Sequence, residues 1–371
     1  MDIIHHLLLL STVLYTLVAL CFFFGLFRLN NQPRTAETPF ISIVIATRNE
    51  ADYIGLCLDS LKQQTYPTDR FEILVVDDAS TDNTSQIVAS THLDNLHLLS
   101  VDNSFPEMTA KKRPMSVGIH CARGEWILTT DADCTVPPTW IASMASYMAT
   151  DIGVVIGFSQ LTSRSFFDRL QAYDFLTLMA AAAGAVGVGR PLAASGQNFA
   201  YRKCLFEKVG GFRDIAHRPS GDDVLLLQLL RRAWDGRIAF ATDPGAFAIT
   251  HRPETPSSLW QQRKRWASNA AYQLRINFVF FSYIAVVFLT NALIPAAFLI
   301  SITDGTYTLP LICWGAKVLV DLLVAGKGVH IFKRADLLIM FPFWEIVQIP
   351  YTILIGLAGT LRGFTWKGRD H

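Results

Sequence analysis

FEILVVDDASTDNT (71–84) joins a mostly apolar, β-branched run to a turn dense in Asp, Ser, Thr and Asn. The run reads as a buried strand, and the polar stretch as the turn that leads into a helix. The pattern does not stand alone. FISIVIAT (40–47) is a similar run, followed by the polar loop RNEAD and a helical pattern through about Gln64. LHLLSV (96–101) and EWILTT (125–130) are further strands, with a helix between them across 109–122. Strands alternating with helices of this length predict an α/β domain with a mostly parallel, two-sided sheet over residues 40 to 250. In such sheets ligands gather at the carboxyl ends of the strands. Asp77 and Asp78 stand at one such end, and Asp131 and Asp133 at another.

The whole chain of 371 residues is long enough for one large domain or two smaller ones. Hydrophobic residues make up 51% and charged residues 17%. That charged share is below the roughly 25% of ordinary globular domains, as expected of a chain partly dissolved in lipid. A net charge of +1 argues against nucleic-acid binding by bulk electrostatics. The six cysteines (Cys21, Cys57, Cys121, Cys134, Cys204, Cys313) are scattered without a CxxC, which argues against a zinc site or disulfide framework. They read as reduced thiols of a cytosol-facing protein.

The apolar residues are unevenly placed. LLLLSTVLYTLVALCFFFGLF (7–27) is long enough to cross a bilayer at roughly 20 residues per span. The preceding MDIIHH has no Lys or Arg, unlike the start of a signal peptide. Arg28 and Arg34 follow the run, so the positive-inside rule places the next segment in the cytoplasm. Residues 276–300 and 309–325 read as two further spans. A third apolar segment, 335–359, carries Glu345 and is interrupted by Pro342 and Pro350. Lys327, Lys333 and Arg334 on one side of it, and Arg362, Lys367 and Arg369 on the other, both favour the cytoplasm; a re-entrant or interfacial segment reconciles them. The expected organisation is a membrane anchor at 1–28, a cytoplasmic catalytic domain at 38–272, a membrane domain at 276–361 and a basic tail at 362–371. The expected location is the cell membrane, crossed several times. FFDRLQAYDFLTLMAAAA (166–183) has helical periodicity but is interrupted by charge, and reads as a domain or interface helix. GAVGVG (184–189) follows no strand of a βαβ unit and is not read as a dinucleotide loop.

Four constellations carry possible chemistry. In VVDDASTDNT, a carboxylate of Asp77 or Asp78 can accept from a base N–H or ribose hydroxyls, with Ser80 or Thr81 capping the next helix; an ordinary strand-to-helix turn favours the same residues. In TTDADC, Asp131 and Asp133 can hold a hard divalent cation that bridges a diphosphate and makes it a better leaving group; as a bare pattern, Asp-x-Asp also recurs in polar loops. In SGDDVLLLQLLRR (220–232), Asp222 and Asp223 precede an amphipathic helix, where its dipole favours anions; one of them can also serve as a base toward an attacking hydroxyl. In QRKRW (262–266), Gln262, Arg265 and Trp266 share one helical face, Arg265 offering donors to a phosphate and Trp266 a flat surface to a sugar or lipid acceptor. Its bland counterpart is a basic juxtamembrane helix, and Arg263 and Lys264 are expected to bind headgroups.

The order strand–Asp-Asp, Asp-x-Asp, Asp-Asp, Gln-x-x-Arg-Trp resembles glycosyltransferase family 2. More narrowly it is similar to the membrane-anchored branch that includes cellulose, hyaluronan and chitin synthases and ceramide glucosyltransferases. The likeness spans roughly 40 to 270, with ISIVIATRNEADYIGLCLDSLKQQTYP resembling the family's opening and GQNFAYRK…VGGF its acceptor-side stretch. It implies a GT-A fold (Rossmann-like, mostly parallel), a nucleotide-sugar donor that is commonly UDP-linked, Mg²⁺ or Mn²⁺, and inversion by direct displacement. Asp78 then resembles the nucleotide-contacting acid, with Asp77 beside it. Asp131 and Asp133 resemble the diphosphate–metal motif, Asp133 being the direct ligand, and Asp223 the catalytic base. Gln262, Arg265 and Trp266 would close over donor diphosphate and acceptor. Asp222 replaces the Glu of many relatives, which leaves open which carboxylate is the base. AKKRPMSVG is loosely similar to the family's Lys-containing helix, making Lys111 and Lys112 candidate donor contacts. The expected partners are a nucleotide sugar, a lipid or growing glycan acceptor and membrane lipids. A processive polysaccharide synthase is the runner-up. A nucleotide-binding membrane protein without transfer activity is the non-enzyme alternative, and a nucleotidyltransferase the minor one.

Overall fold

The computed structural model describes residues 3–101, 104–251, 253, 255–361, 365–366 and 369–370, which fall into two compact units. Arg362 and Lys367 of the expected basic tail lie outside the described residues. One unit combines Leu29–Thr162 with Gly189–Arg252; the other holds the first helix, Ser163–Val188 and the chain from Pro253 onward. This division differs from the expected catalytic domain at 38–272. The helix Phe166–Gly187 and the helix Pro256–Ala267, which carries Gln-x-x-Arg-Trp, both belong to the helical unit.

The sheet unit contains, in chain order, β1 (Ile41–Thr47), β2 (Phe71–Asp77), β3 (Leu96–Ser100), β4 (Trp126–Thr129) and β5 (Cys134–Thr135). β6 (Ile152–Ile156), β7 (Ser159–Leu161), β8 (Phe199–Arg202), β9 (Arg237–Phe240) and β10 (Ala248–Thr250) follow. The main sheet is ordered β3–β2–β1–β4–β8–β6–β9. β3, β2, β1 and β4 are parallel, β8 runs antiparallel to β4 and β6, and β9 is parallel to β6. Every residue of β2 is buried, as its nearly unbroken apolar run requires of a central strand covered on both faces. Ile41, Ile43, Ile45, Ile73 and Val75 pack with Cys57, Leu58 and Leu61 of the helix Ile54–Lys62. On the opposite face Gly118 of the helix Lys112–Cys121 meets Val44 and Val76 so closely that an added Cβ would stand 2.6 Å from Val44. A second sheet, β5–β10–β7, pairs Cys134 with Thr250.

In the helical unit, four stretches are long and apolar enough to cross a membrane: Ile3–Asn31, Phe278–Asp304, Thr308–Ile331 and Ala335–Gly359. The last differs from the interrupted segment expected from its prolines. Phe341–Leu361 is one continuous helix. Pro342 falls in its first turn, where no intrahelical N–H bond is lost, and Pro350 is accommodated inside it. GAVGVG has a packing role: Gly184 and Gly187 lie against the backbone of Phe22 and Gly25 in the first helix, where no Cβ would fit. Gly328 approaches Ala180 of the same helix, so Phe166–Gly187 is held by small residues against two candidate spans.

Candidate active site

Because β2, β1 and β4 are parallel neighbours, the segments that follow them emerge at one edge of the sheet. Asp77 ends β2, and its carboxylate turns back into its own turn. It accepts from the Ser80 N–H (3.2 Å), the Ser80 hydroxyl and the Ser85 hydroxyl (2.9 Å). Asp77 therefore shapes the turn that presents Asp78. Asp78 keeps a half-buried carboxylate with the Arg48 guanidinium 3.3 Å away. Neither Ser80 nor Thr81 caps the next helix; Thr81 bonds Asn49, and the N-cap is Asn83.

Past β4 the chain delivers Asp131 and Asp133, both half-buried. The Lys111 ammonium bonds Asp131 and lies 3.5 Å from Asp222, tying the end of β4 to the start of the helix Val224–Ala233. Burial works against this ammonium, but Asp131 and Asp222 raise its pKa well above the ordinary lysine range. Asp223 is the N-cap of Val224–Ala233. It accepts from Val224 N (2.6 Å, Oδ1) and Gly196 N (3.0 Å, Oδ2), so both of its oxygens are oriented. Gly196 is in turn fixed by the Thr129 hydroxyl, which donates to its carbonyl over 2.8 Å. Burial and the adjacent Asp222 push the Asp223 carboxyl up to about 6, against the pull of its backbone donors and Lys111. Burial and the like charges of Asp131 and Glu50 push Asp133 up to about 7.

Four of the expected residues thus converge: Asp131, Asp133, Asp222 and Asp223. The cation among them is Lys111. Lys112 is buried at 1% exposure, its ammonium bonded to the carbonyls of Arg218 and Ser220 (3.1 Å for the latter), so it braces the loop before Asp222. Adjacent lysines on a helix point about 100° apart, and the hydrophobic pattern alone did not say which faced the acids. Glu50, near Asp133, and His251, whose ring lies 4.5 Å from Tyr53, were not singled out from the sequence. His251 directly follows the ladder partner of Cys134, a relation visible only once β5 and β10 are paired.

A divalent cation fits this oxygen set in part. Asp133 is raised by like charges, and its one hydrogen-bonding neighbour is the Cys134 thiol, 3.6 Å away, so a hard cation would relieve it. Among the described residues no three His, Cys, Asp or Glu side chains are grouped to hold an ion by themselves. The remaining ligands would have to come from a bound molecule and water.

In the helical unit, Gln262, Arg265 and Trp266 are half-buried on Pro256–Ala267. Arg263 and Lys264 are buried, which corrects their expected place among headgroups. Arg263 pairs with Asp174 at 2.5 Å and lies 4.2 Å over the Trp266 ring, while Phe175 stands 6.0 Å from that ring. At least part of the Trp266 surface expected to meet an acceptor is therefore taken up by packing.

Comparison with known proteins bears on this geometry. Residues 42–210 match Glycosyl transferase family 2. The chain carries a glycosyltransferase family 2 domain. The chain is 31% identical to glycosyltransferase AglE of Haloferax volcanii over 51% of its own length and 60% of AglE. It is 26% identical to β-monoglucosyldiacylglycerol synthase of Synechocystis over 67% of its own length and 51% of the synthase. The chain thus spans between half and two thirds of these two relatives. The mannosyltransferase PcManGT of Pyrobaculum calidifontis, solved with GDP-Man and Mn²⁺, shares the fold. The TM-score is 0.60 at 20% identity, covering 93% of this chain and 99% of that one.

Proposed function

We propose that this chain is a membrane-bound glycosyltransferase that moves a sugar from a nucleotide-diphosphate donor, UDP-linked, to a lipid or lipid-linked acceptor with inversion. The observation that carries the reading is the convergence of Asp131, Asp222 and Asp223 on Lys111 at the carboxyl edge of the sheet. Asp78 takes the nucleoside. Lys111 lies where an ammonium would offset part of a diphosphate's charge. Asp223, with both oxygens already oriented and a lone pair free on each, accepts the proton of the acceptor hydroxyl as its oxygen attacks the anomeric carbon. A pKa of about 6 suits a base that is ionised near neutrality yet still basic. Asp133 and Asp131 would hold Mg²⁺ or Mn²⁺, which supplies charge neutralisation of the leaving diphosphate. Gln262 and Arg265 are assigned to donor binding on the strength of the motif alone. A cytoplasmic side for the catalytic unit is supported by Arg28 and Arg34, which follow the first apolar run. A lipid acceptor is supported by the four candidate spans and by the diacylglycerol-glycolipid synthase among the relatives.

The test is the purified full chain with a panel of nucleotide sugars, with and without Mg²⁺ or Mn²⁺, scoring free nucleoside diphosphate. Release from one donor, dependent on metal and lost in Asp131→Ala and Asp133→Ala while both variants still fold, is the expected result. Unchanged turnover in either variant overturns the metal assignment, and absence of release from every donor overturns the enzyme reading. Mass spectrometry of the product distinguishes one added sugar from the many of a processive synthase.

A further inference from the structure

The helical unit contains a second set of ionisable groups that sugar transfer does not use. Lys317, fully buried, lies 2.7 Å from Asp321 and 2.9 Å from Glu345. Gln348 donates to Glu345 Oε1 (2.7 Å) and Asp321 Oδ2 (3.3 Å), and the Tyr15 hydroxyl donates to Asp321 Oδ1 (2.5 Å). Tyr173 and Tyr283 are further electrostatic neighbours of these carboxylates. The groups come from Ile3–Arg28, Phe166–Gly187, Phe278–Asp304, Thr308–Ile331 and Phe341–Leu361, the long helices of this unit. Tyr15, Lys317, Asp321 and Glu345 sit near the middle of their candidate spans, the most expensive depth for a charge.

The charges of this cluster do not balance. One ammonium meets two carboxylates, and the other titratable neighbours are tyrosines. An uncompensated carboxylate in so apolar a setting costs several kcal/mol, so the group neutralises or takes up a cation. A metal ion is disfavoured by the geometry. All four carboxylate oxygens already accept a bond from Tyr15, Lys317 or Gln348, which leaves no bare oxygen face. Lys317 and Asp321, one helical turn apart, form the shorter of the two ion pairs. Glu345 is 4% exposed, and its second oxygen faces the Gln348 amide, which offers a carbonyl oxygen after a half-turn that gives up only the longer, 3.3 Å bond to Asp321, whose Oδ2 keeps Lys317.

We propose that this cluster is a proton-binding site: Lys317 and Asp321 form the ion pair, and Glu345 holds one exchangeable proton that it donates to the Gln348 carbonyl. The proton comes from water and no other bond changes. The site is independent of glycosyl transfer, so its test reads neither turnover nor donor binding.

The experiment is infrared spectroscopy of the full chain in lipid nanodiscs at neutral pH, in H₂O and D₂O. The wild-type spectrum minus that of Glu345→Gln should contain one carboxylic-acid carbonyl stretch that shifts in D₂O. A pair of carboxylate stretches in its place overturns the proposal. Asp321→Asn provides a second arm with Glu345 intact. Removing the partner of Lys317 hands the ammonium to Glu345, so the acid band should vanish; its persistence overturns the proposal. A thermal midpoint of the wild type that rises with Na⁺ or K⁺ at constant ionic strength would show a metal ion in the proton's place and overturn it as well.

Discussion

Two lysines in this chain are each set between two carboxylates, and they differ in what is left over. Around Lys317 every carboxylate oxygen has a donor from within the cluster. Around Lys111 the bonds are unevenly spread: Asp133 has a thiol contact, Asp223 has two backbone donors, and both are pushed toward neutrality by burial and by their neighbours. The saturated cluster leaves no bare oxygen for a ligand and has room only for the proton proposed on Glu345. An unsaturated one, at the carboxyl edge of a parallel sheet, has capacity for a ligand's charge and for a proton in transit. The same residue types therefore mean different things, and the kind of donor each carboxylate meets separates them.

The contrast can be broken most directly at Asp223. Asp223→Asn should lower turnover by about 10³-fold while donor affinity, measured by calorimetry, is retained; loss of affinity instead would move Asp223 into the donor site. At a buried ion pair the loss should fall on stability. Arg263→Met strands the buried carboxylate of Asp174 and should cost about 3 kcal/mol in a denaturation experiment. Lys111→Met lies between the two. It removes charge-assisted bonds to Asp131 and Asp222, with an expected stability loss of about 2 kcal/mol and weakened donor binding. A variant that binds donor normally would reduce Lys111 to a structural link.

The smallest effect concerns pH. The folded-state pKa of Asp223 is raised to about 6, so its ionised form is the less favoured one in the fold. Its contribution to stability is full below the unfolded value and lost as pH rises through about 6. Turnover needs the ionised base and should rise over the same window. Asp223→Asn should therefore flatten the fall in stability through that window, although it gives up one of the two backbone bonds, and lose the acid limb of the pH–rate profile. A variant as pH-dependent as the wild type would assign that limb to another group.

The parallel strands β1 to β4 were legible because they are short apolar runs that end at polar turns, whereas β6, β8 and β9 were not read, and the spans were legible because lipid demands uninterrupted apolar length. What escaped depended on contacts made by distant segments. Arg263 looks like a headgroup ligand until Asp174, 89 positions earlier, is found beside it. Asp77 and Asp78 are alike in sequence, and the hydroxyls of Ser80 and Ser85 claim the first. Pro350 looked like an interruption because its ring removes one backbone bond, yet the helix continues through it.

The glycine contact between Gly25 and Gly184 and Gly187 has a practical corollary. The first helix is not a detachable tether, since deleting it to obtain a water-soluble enzyme would uncover the backbone of Gly184 and Gly187 and the side chain of Val188. Because Ser163–Val188 is spliced into the middle of the sheet unit's sequence, a soluble version needs that segment excised and Thr162 linked to Gly189, not simple trimming of the ends.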